Sequence, residues 1–451
     1  MRSRDLHVLL CVLVVALCGL LTASFAVAMQ SAPTAKAPSK QAVGNWWDRT
    51  QPGKGRKPPK SQYYTVRSDL PAEEAQKWAK HLDIMYEEFT RRLVQGGGLR
   101  RRTPEVLNVM IFAREQDYLS TLRTQFGLNA MGSGGMFFVT PRGGGLAFFT
   151  ENLPNQRIAH VAQHEGFHQF AHAFFGNDLP LWLNEGLAEF FGECVVEGNT
   201  VIIGQASPQV LEVVRQAAAE GKHLPFLVLL QMDDELWNMM VRTGNAALQY
   251  QQSWSIVHFL VYGDNGKYQA AFQRMLQMVN AGTRPFTALR NAFGLATDAD
   301  VRDFEAKWLE HAKAAKPSSY VSARARLEFL SEGLRFVWGR GQRPQTVADL
   351  RKAMVDADFS YPVTTHGYVM TLKASDEANF AVPLDPANTK AIALELAPSP
   401  APRTSAGKTL EAEHPTPPIV RTRGLQPKEV RSLWTRRKDS PGEWDYEIVS
   451  N

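Results

Sequence analysis

Residues 160–193 read HVAQHEGFHQFAHAFFGNDLPLWLNEGLAEFFGE. The stretch opens with His160, His164, His168 and His172 at every fourth position, in a chain with only 11 histidines. Side chains four apart lie on nearly one helical face, about 6 Å apart along the axis. Two such imidazoles can converge on one metal ion. Four cannot, because His160 to His172 spans roughly 18 Å. Of the three adjacent pairs, only His164/His168 has a glutamate directly after its first histidine, giving HEGFH, the H-E-x-x-H arrangement of zinc sites. Glu165 is one residue off the ligand face. There it stands beside a metal without binding it and can carry a proton to and from water. His160 and His172 are expected on the helix surface or behind the ligands.

A catalytic zinc needs three protein ligands and one open position. Glu185 follows His168 by 17 residues, with Gly176-Asn177-Asp178 and Pro180 marking a turn between two helices. That turn can fold Glu185 back onto the histidine pair. Glu189 lies four residues on, on the same face, where it can accept the spare ring N–H of His164 or His168. Leu183, Leu187, Ala188 and Phe190 flank both acids, which favours burial over a solvated face. Cys194 is read as a buried, inert thiol, and His258 as a core histidine.

Working outward, the chain is 451 residues long with formal net charge +5. Residues 29–60 carry Lys36, Lys40, Arg49, Lys54, Arg56, Lys57 and Lys60 against Asp48 alone. The excess is therefore local and speaks against a nucleic-acid-binding face. Arg2 and Arg4, an apolar run from Val8 to Leu21, and Ala26-Val27-Ala28 read as a signal peptide over 1–28, with an uncleaved anchor as the other reading. Residues 29–62 read as a basic flexible tether suited to an anionic cell surface. Cleavage would leave Cys194 as the single thiol, so no intramolecular disulfide is expected. No later stretch is apolar and long enough to span a membrane.

Strands are expected near Tyr63, at 106–112, at 135–140 and at 145–150, the last two as a hairpin, with helices opening at Pro71 and Glu115. The pattern is mostly helical from Gln156 to Ala314, and two more helices are expected in 318–357. Short alternating segments follow at 363–372, 378–383 and 389–396, with low-complexity linker over 397–418 and a terminal hairpin. The fold class is α+β, a small mixed sheet plus active-site helix and then a helical half. The expected units are 63–315, a helical extension at 316–360, and a β-rich module at 361–451.

HEGFH followed by WLNEGLAEFF resembles the gluzincin metallopeptidases, which include thermolysin and aminopeptidase N, and more closely the exported peptidase-MA-like proteins of planctomycete-type bacteria. The resemblance covers about residues 63–315. It implies a gluzincin-like domain with one Zn2+ per chain on His164, His168 and Glu185, and Glu165 as base and proton shuttle. Tyr250, in QYQQSWSIVHFLVY, matches the tyrosine that stabilises the oxyanion in aminopeptidase N; it also lies on a helical stripe with Trp254, Val257 and Val261. One departure is informative. Aminopeptidases of this type carry a glutamate that binds the substrate's free amine, and GGMFF (134–138) has Phe137 there. The expectation is an exported zinc endopeptidase, periplasmic, envelope-bound or extracellular. It would cut peptide or protein substrates by zinc-activated water with a glutamate base. The alternative is a non-hydrolytic binding or scaffold protein of the same fold.

Overall fold

The computed structural model describes residues 59–102, 107–140, 143–243, 246–365, 368–385, 388–399, 415–437 and 443–450. The expected signal peptide, nearly all of the tether and most of the linker lie outside them. So do residues 141–142 of the turn expected at 141–144 and the turn expected at 439–442.

The first half opens with β1 (Tyr64–Ser68), α1 (Ala72–Phe89), β2 (Leu107–Phe112), α2 (Glu115–Thr121), β3 (Gly135–Thr140) and β4 (Gly143–Phe149). The strands form one sheet in the order β1-β2-β4-β3. β1, β2 and β4 run parallel, and β3 returns antiparallel as the edge strand. Both faces are covered, so β2 and β4 read as apolar runs rather than alternating ones. α3 (Asn155–Phe175) crosses β3 and β4, ends at Gly176, and is followed after Pro180 by α4 (Leu181–Gly192).

Behind these helices Phe89, Phe167 and Phe191 meet with ring centroids 4.8–5.6 Å apart. They lock α1, α3 and α4 together. Truncating any one to alanine should cost about 3–5 kcal/mol. A short hairpin, β5 (Val195–Glu197) and β6 (Thr200–Ile202), leads into a helical layer. This contains α5 (Pro208–Glu220), α6 (Phe226–Leu229), α7 (Asp234–Arg242), α8 (Ala246–Gly266), α9 (Gln269–Asn280), α10 (Pro285–Phe293) and α11 (Asp298–Ala314). α8 leaves helical geometry at Gly263–Asn265 and packs along α4.

The second half has its own core. α12 (Ser319–Gly339) and α13 (Val347–Asp356) precede β7 (Ser360–Thr365), β8 (Tyr368–Lys373), β9 (Ala393–Ala397), β10 (Ile419–Arg423), β11 (Val430–Arg436) and β12 (Trp444–Ser450). β9 to β12 form an antiparallel sheet in the order β12-β11-β10-β9, and β7–β8 is a separate hairpin. Leu327, Leu330 and Leu334 of α12 share one core with Leu350, Val363, Leu372, Val420 and Val430. The two helices and the strands after them thus bury one another. The halves meet at β5, where the Glu197 carboxylate pairs with Arg324 and accepts from Ser450 Oγ (2.9 Å), and Lys428 reaches the Glu197 carbonyl.

The fold is α+β, as the sequence suggests. Two local readings are corrected. The segment at 363–372 is a two-stranded hairpin rather than one strand. Residues 377–380 form a 3₁₀ turn because Asp376 Oδ1 accepts from Ala378 N–H and pulls the chain out of extension. No helix among the described residues is long and apolar enough to cross a membrane.

His258 Nδ1 sits 3.0 Å from His311 Nε2, and burial lowers the His258 pKa to about 3. Burial likewise takes His81 to about 4. Below about pH 6.5 the unfolded chain binds protons that these folded residues refuse, so stability is present at neutral pH and lost on acidification. The melting temperature, measured in chelator so that metal release plays no part, should fall between pH 6.5 and pH 4. His258→Phe should flatten that fall. An unchanged slope would mean that this pair does not carry the acid sensitivity.

Candidate metal centre

α3 and α4 are buried on every side across the site. His160 to Ala171 and Trp182 to Gly192 are all inaccessible. A helix apolar all round belongs in a core, but here the buried set includes three histidines and three carboxylates of these two helices. Such groups persist in an apolar interior only when paired.

The pairing is compact. His164 Nε2 and His168 Nε2 lie 3.1 Å apart, and Glu185 Oε2 lies 3.4 Å from the first and 3.3 Å from the second. Glu185 Oε2 has no hydrogen-bond partner among the described residues although it is buried. Burial alone would raise the Glu185 pKa, but His168 and His164 hold it at about 2. Burial likewise opposes charge on His164, yet Glu185 and Glu189 raise its pKa well above the ordinary value. The centre attracts positive charge, and a cation between the rings would satisfy the same need as a proton.

The ring nitrogens facing away are also held. His168 Nδ1–H donates to Asn184 Oδ1 (3.2 Å), and His164 Nδ1 stands 3.2 Å from Glu189 Oε1. Each Nε2 lone pair is thereby turned toward Glu185. Of the two partners left open by the spacing, Glu189 serves His164. Asn184 serves His168, and its place directly before Glu185 was the available clue. Glu165 Oε2 accepts from the backbone N–H of Phe137 (2.7 Å), which ties it to edge strand β3.

Tyr250 is buried on α8 with Trp237 edge-on at 5.5 Å. Its O–H has no acceptor among the described residues. Burial first, then the charges of Glu185, Glu189 and Glu165, keep the phenol protonated. A cleft of about 670 Å³ opens onto Glu185 and Asn184, walled by Phe137, Phe138, Met232 and Trp237. His172 lies partly buried at its side, its ring 5.7 Å from that of Phe137. His160, expected at the surface or behind the ligands, is fully buried behind them. Cys194 is buried as expected, and burial pushes its thiol pKa up.

Among the described residues, two buried triads present donor atoms close enough to share a metal ion: His164, His168 and Glu185, and His160, His164 and Glu189. The first brings together the three residues singled out by the sequence. A family model described as a protein of unknown function (DUF1570) matches residues 157–281, which contain both triads, Glu165 and Tyr250. No curated protein matches the chain.

Glu185 reaches the histidines because α4 can lie close against α8. A Cβ on Gly186 would fall 2.6 Å from the Ser253 carbonyl oxygen and 2.9 Å from Val257 Cγ2. Gly186→Ala must push the helices apart. The expected result is a loss of about 1–3 kcal/mol in chemical denaturation, with reduced metal retained after dialysis. Wild-type values for both would show that the close approach does not seat Glu185.

Proposed function

We propose that the chain is a zinc metallopeptidase of gluzincin type that cuts within peptide or protein chains. The observation that carries this reading is the triangle of donor atoms, with edges of 3.1, 3.3 and 3.4 Å. Ligands at the Zn–N and Zn–O distance of about 2.0–2.1 Å around a tetrahedral ion stand about 3.3 Å from one another. His164, His168 and Glu185 would hold the ion, and Glu185 also lines the cleft. Bound zinc would supply Lewis acidity, polarising a carbonyl and making water acidic.

The chain's own groups account for the rest. Glu165 is oriented by the Phe137 N–H and is placed to take a proton from water and return it to the departing amine. Tyr250 stays neutral, so its phenol is a donor suited to a developing oxyanion. β3 borders the cleft as an edge strand, which suits an extended peptide laid alongside it. Phe137 replaces the acid that would anchor a free amino terminus, which favours cleavage within a chain. The charged, then apolar, residues of 1–28 and the basic 29–60 stretch support an exported location.

Glu165→Gln should keep about one zinc per chain and lose cleavage of an unfolded protein by about 10²–10⁴-fold. Glu185→Ala should lose the zinc, and chelation of the wild type should abolish cleavage reversibly. Metal analysis combined with cleavage-site profiling on a mixed proteome checks all three. A zinc-loaded wild type that cuts nothing would leave the scaffold reading in its place. Retention of zinc by Glu185→Ala would overturn the ligand set.

A further inference from the structure

Two ladders of four-residue period face each other across the α3–α4 contact. One is His160, His164, His168; the other, running the opposite way, is Glu193, Glu189, Glu185. The proposed metal uses only the end of the pair nearest the cleft. Behind it, Glu189 spans two rungs. Its Oε1 stands 3.2 Å from His164 Nδ1 and its Oε2 stands 3.5 Å from His160 Nε2. Glu193 Oε1 then faces His160 Nδ1 at 3.7 Å. His160, Glu189 and Glu193 are all more than nine-tenths buried.

The backbone is shaped around this rung. A Cβ on Gly192 would fall 3.0 Å from His160 Cε1 and 3.2 Å from its Nδ1, so the imidazole rests against the bare α4 backbone. A buried histidine used only to fill space would not need a carboxyl group facing each of its nitrogens, here at 3.5 and 3.7 Å.

We propose that His160, backed by Glu193, is a positioning residue that fixes the Glu189 carboxylate and through it the orientation of the His164 ring. The inference rests on the metal reading above and extends it one rung deeper. With His160 holding the far oxygen, Glu189 keeps its near oxygen on His164 Nδ1, and the His164 Nε2 lone pair stays aimed at the triangle. Partners that orient metal-binding histidines in this way commonly change metal affinity by about 10–100-fold. The triad His160, His164 and Glu189 could instead hold a second ion. That would require His164 to ligate through both ring nitrogens.

The test is zinc stoichiometry and affinity of the full chain, by competition with a chromophoric chelator, alongside the melting temperature of the metal-free form. The wild type should bind one zinc. His160→Phe, which fills the space but offers no N–H, should weaken binding by about 10–100-fold, and His160→Gln, whose amide nitrogen reaches about as far as Nε2, should restore most of it. Gly192→Ala removes no polar group and displaces only the ring; it should weaken binding in the same direction, and it serves where His160→Phe fails to fold. Wild-type affinity in His160→Phe or in Gly192→Ala would overturn the role of His160 and leave the metal site standing. Two zinc ions in the wild type and one in His160→Phe would overturn it in favour of a second metal site. No zinc bound by the wild type would remove the metal reading itself, and the positioning role with it.

Discussion

Glu185 is the constraint around which the rest is arranged. A carboxylate at 2% exposure, with one oxygen lacking a hydrogen-bond donor among the described residues, stays ionised only if positive charge is supplied beside it. His164 and His168 face it at 3.3–3.4 Å and hold its pKa down. That arrangement requires α3 and α4 to present their polar residues to each other and their apolar residues to everything else. The phenylalanine cluster behind the helices and the bare Gly186 against α8 meet that requirement. One fixes the distance from the rear, the other from the front.

The sheet contributes at a single point. β3 is the edge strand, so its outward backbone groups are not consumed by a neighbour, and the N–H of Phe137 is free to grip Glu165. The side chain proposed to move a proton is thus held by a main-chain N–H. It keeps its orientation whatever the protonation state of its surroundings. The same strand borders the cleft, so Glu165 and any chain lying in that cleft would be positioned by one element.

Much of this was legible in the sequence because it depends on local spacing. A step of four places His164 beside His168, and HEGFH singles out that pair. The turn before Pro180 returns Glu185 to it. The carboxylate ladder was equally present in NEGLAEFFGE, with acids at 185, 189 and 193 matching histidines at 168, 164 and 160. Reading each helix separately hid the match, so Glu193 was missed and His160 was left open between the helix surface and a place behind the ligands. The 3₁₀ turn at 377–380 was hidden for another reason: a single Asp376 hydrogen bond decides it against an alternating pattern. The register of β3 against α3, and hence the bond from Phe137 to Glu165, depends on tertiary packing that no local pattern encodes.

The contact at Glu197 has a mechanical meaning. Only three residues separate it from Glu193 at the end of α4. Its carboxylate is held by Arg324 and Ser450, and its carbonyl by Lys428. α12 and the terminal strands are therefore joined in series with the helix that carries Glu185, not hung beside it. Force applied to the carboxyl-terminal sheet would be transmitted to the buried acids within a few residues, and cutting the chain before α12 would release a load-bearing anchor, not merely remove an appendage.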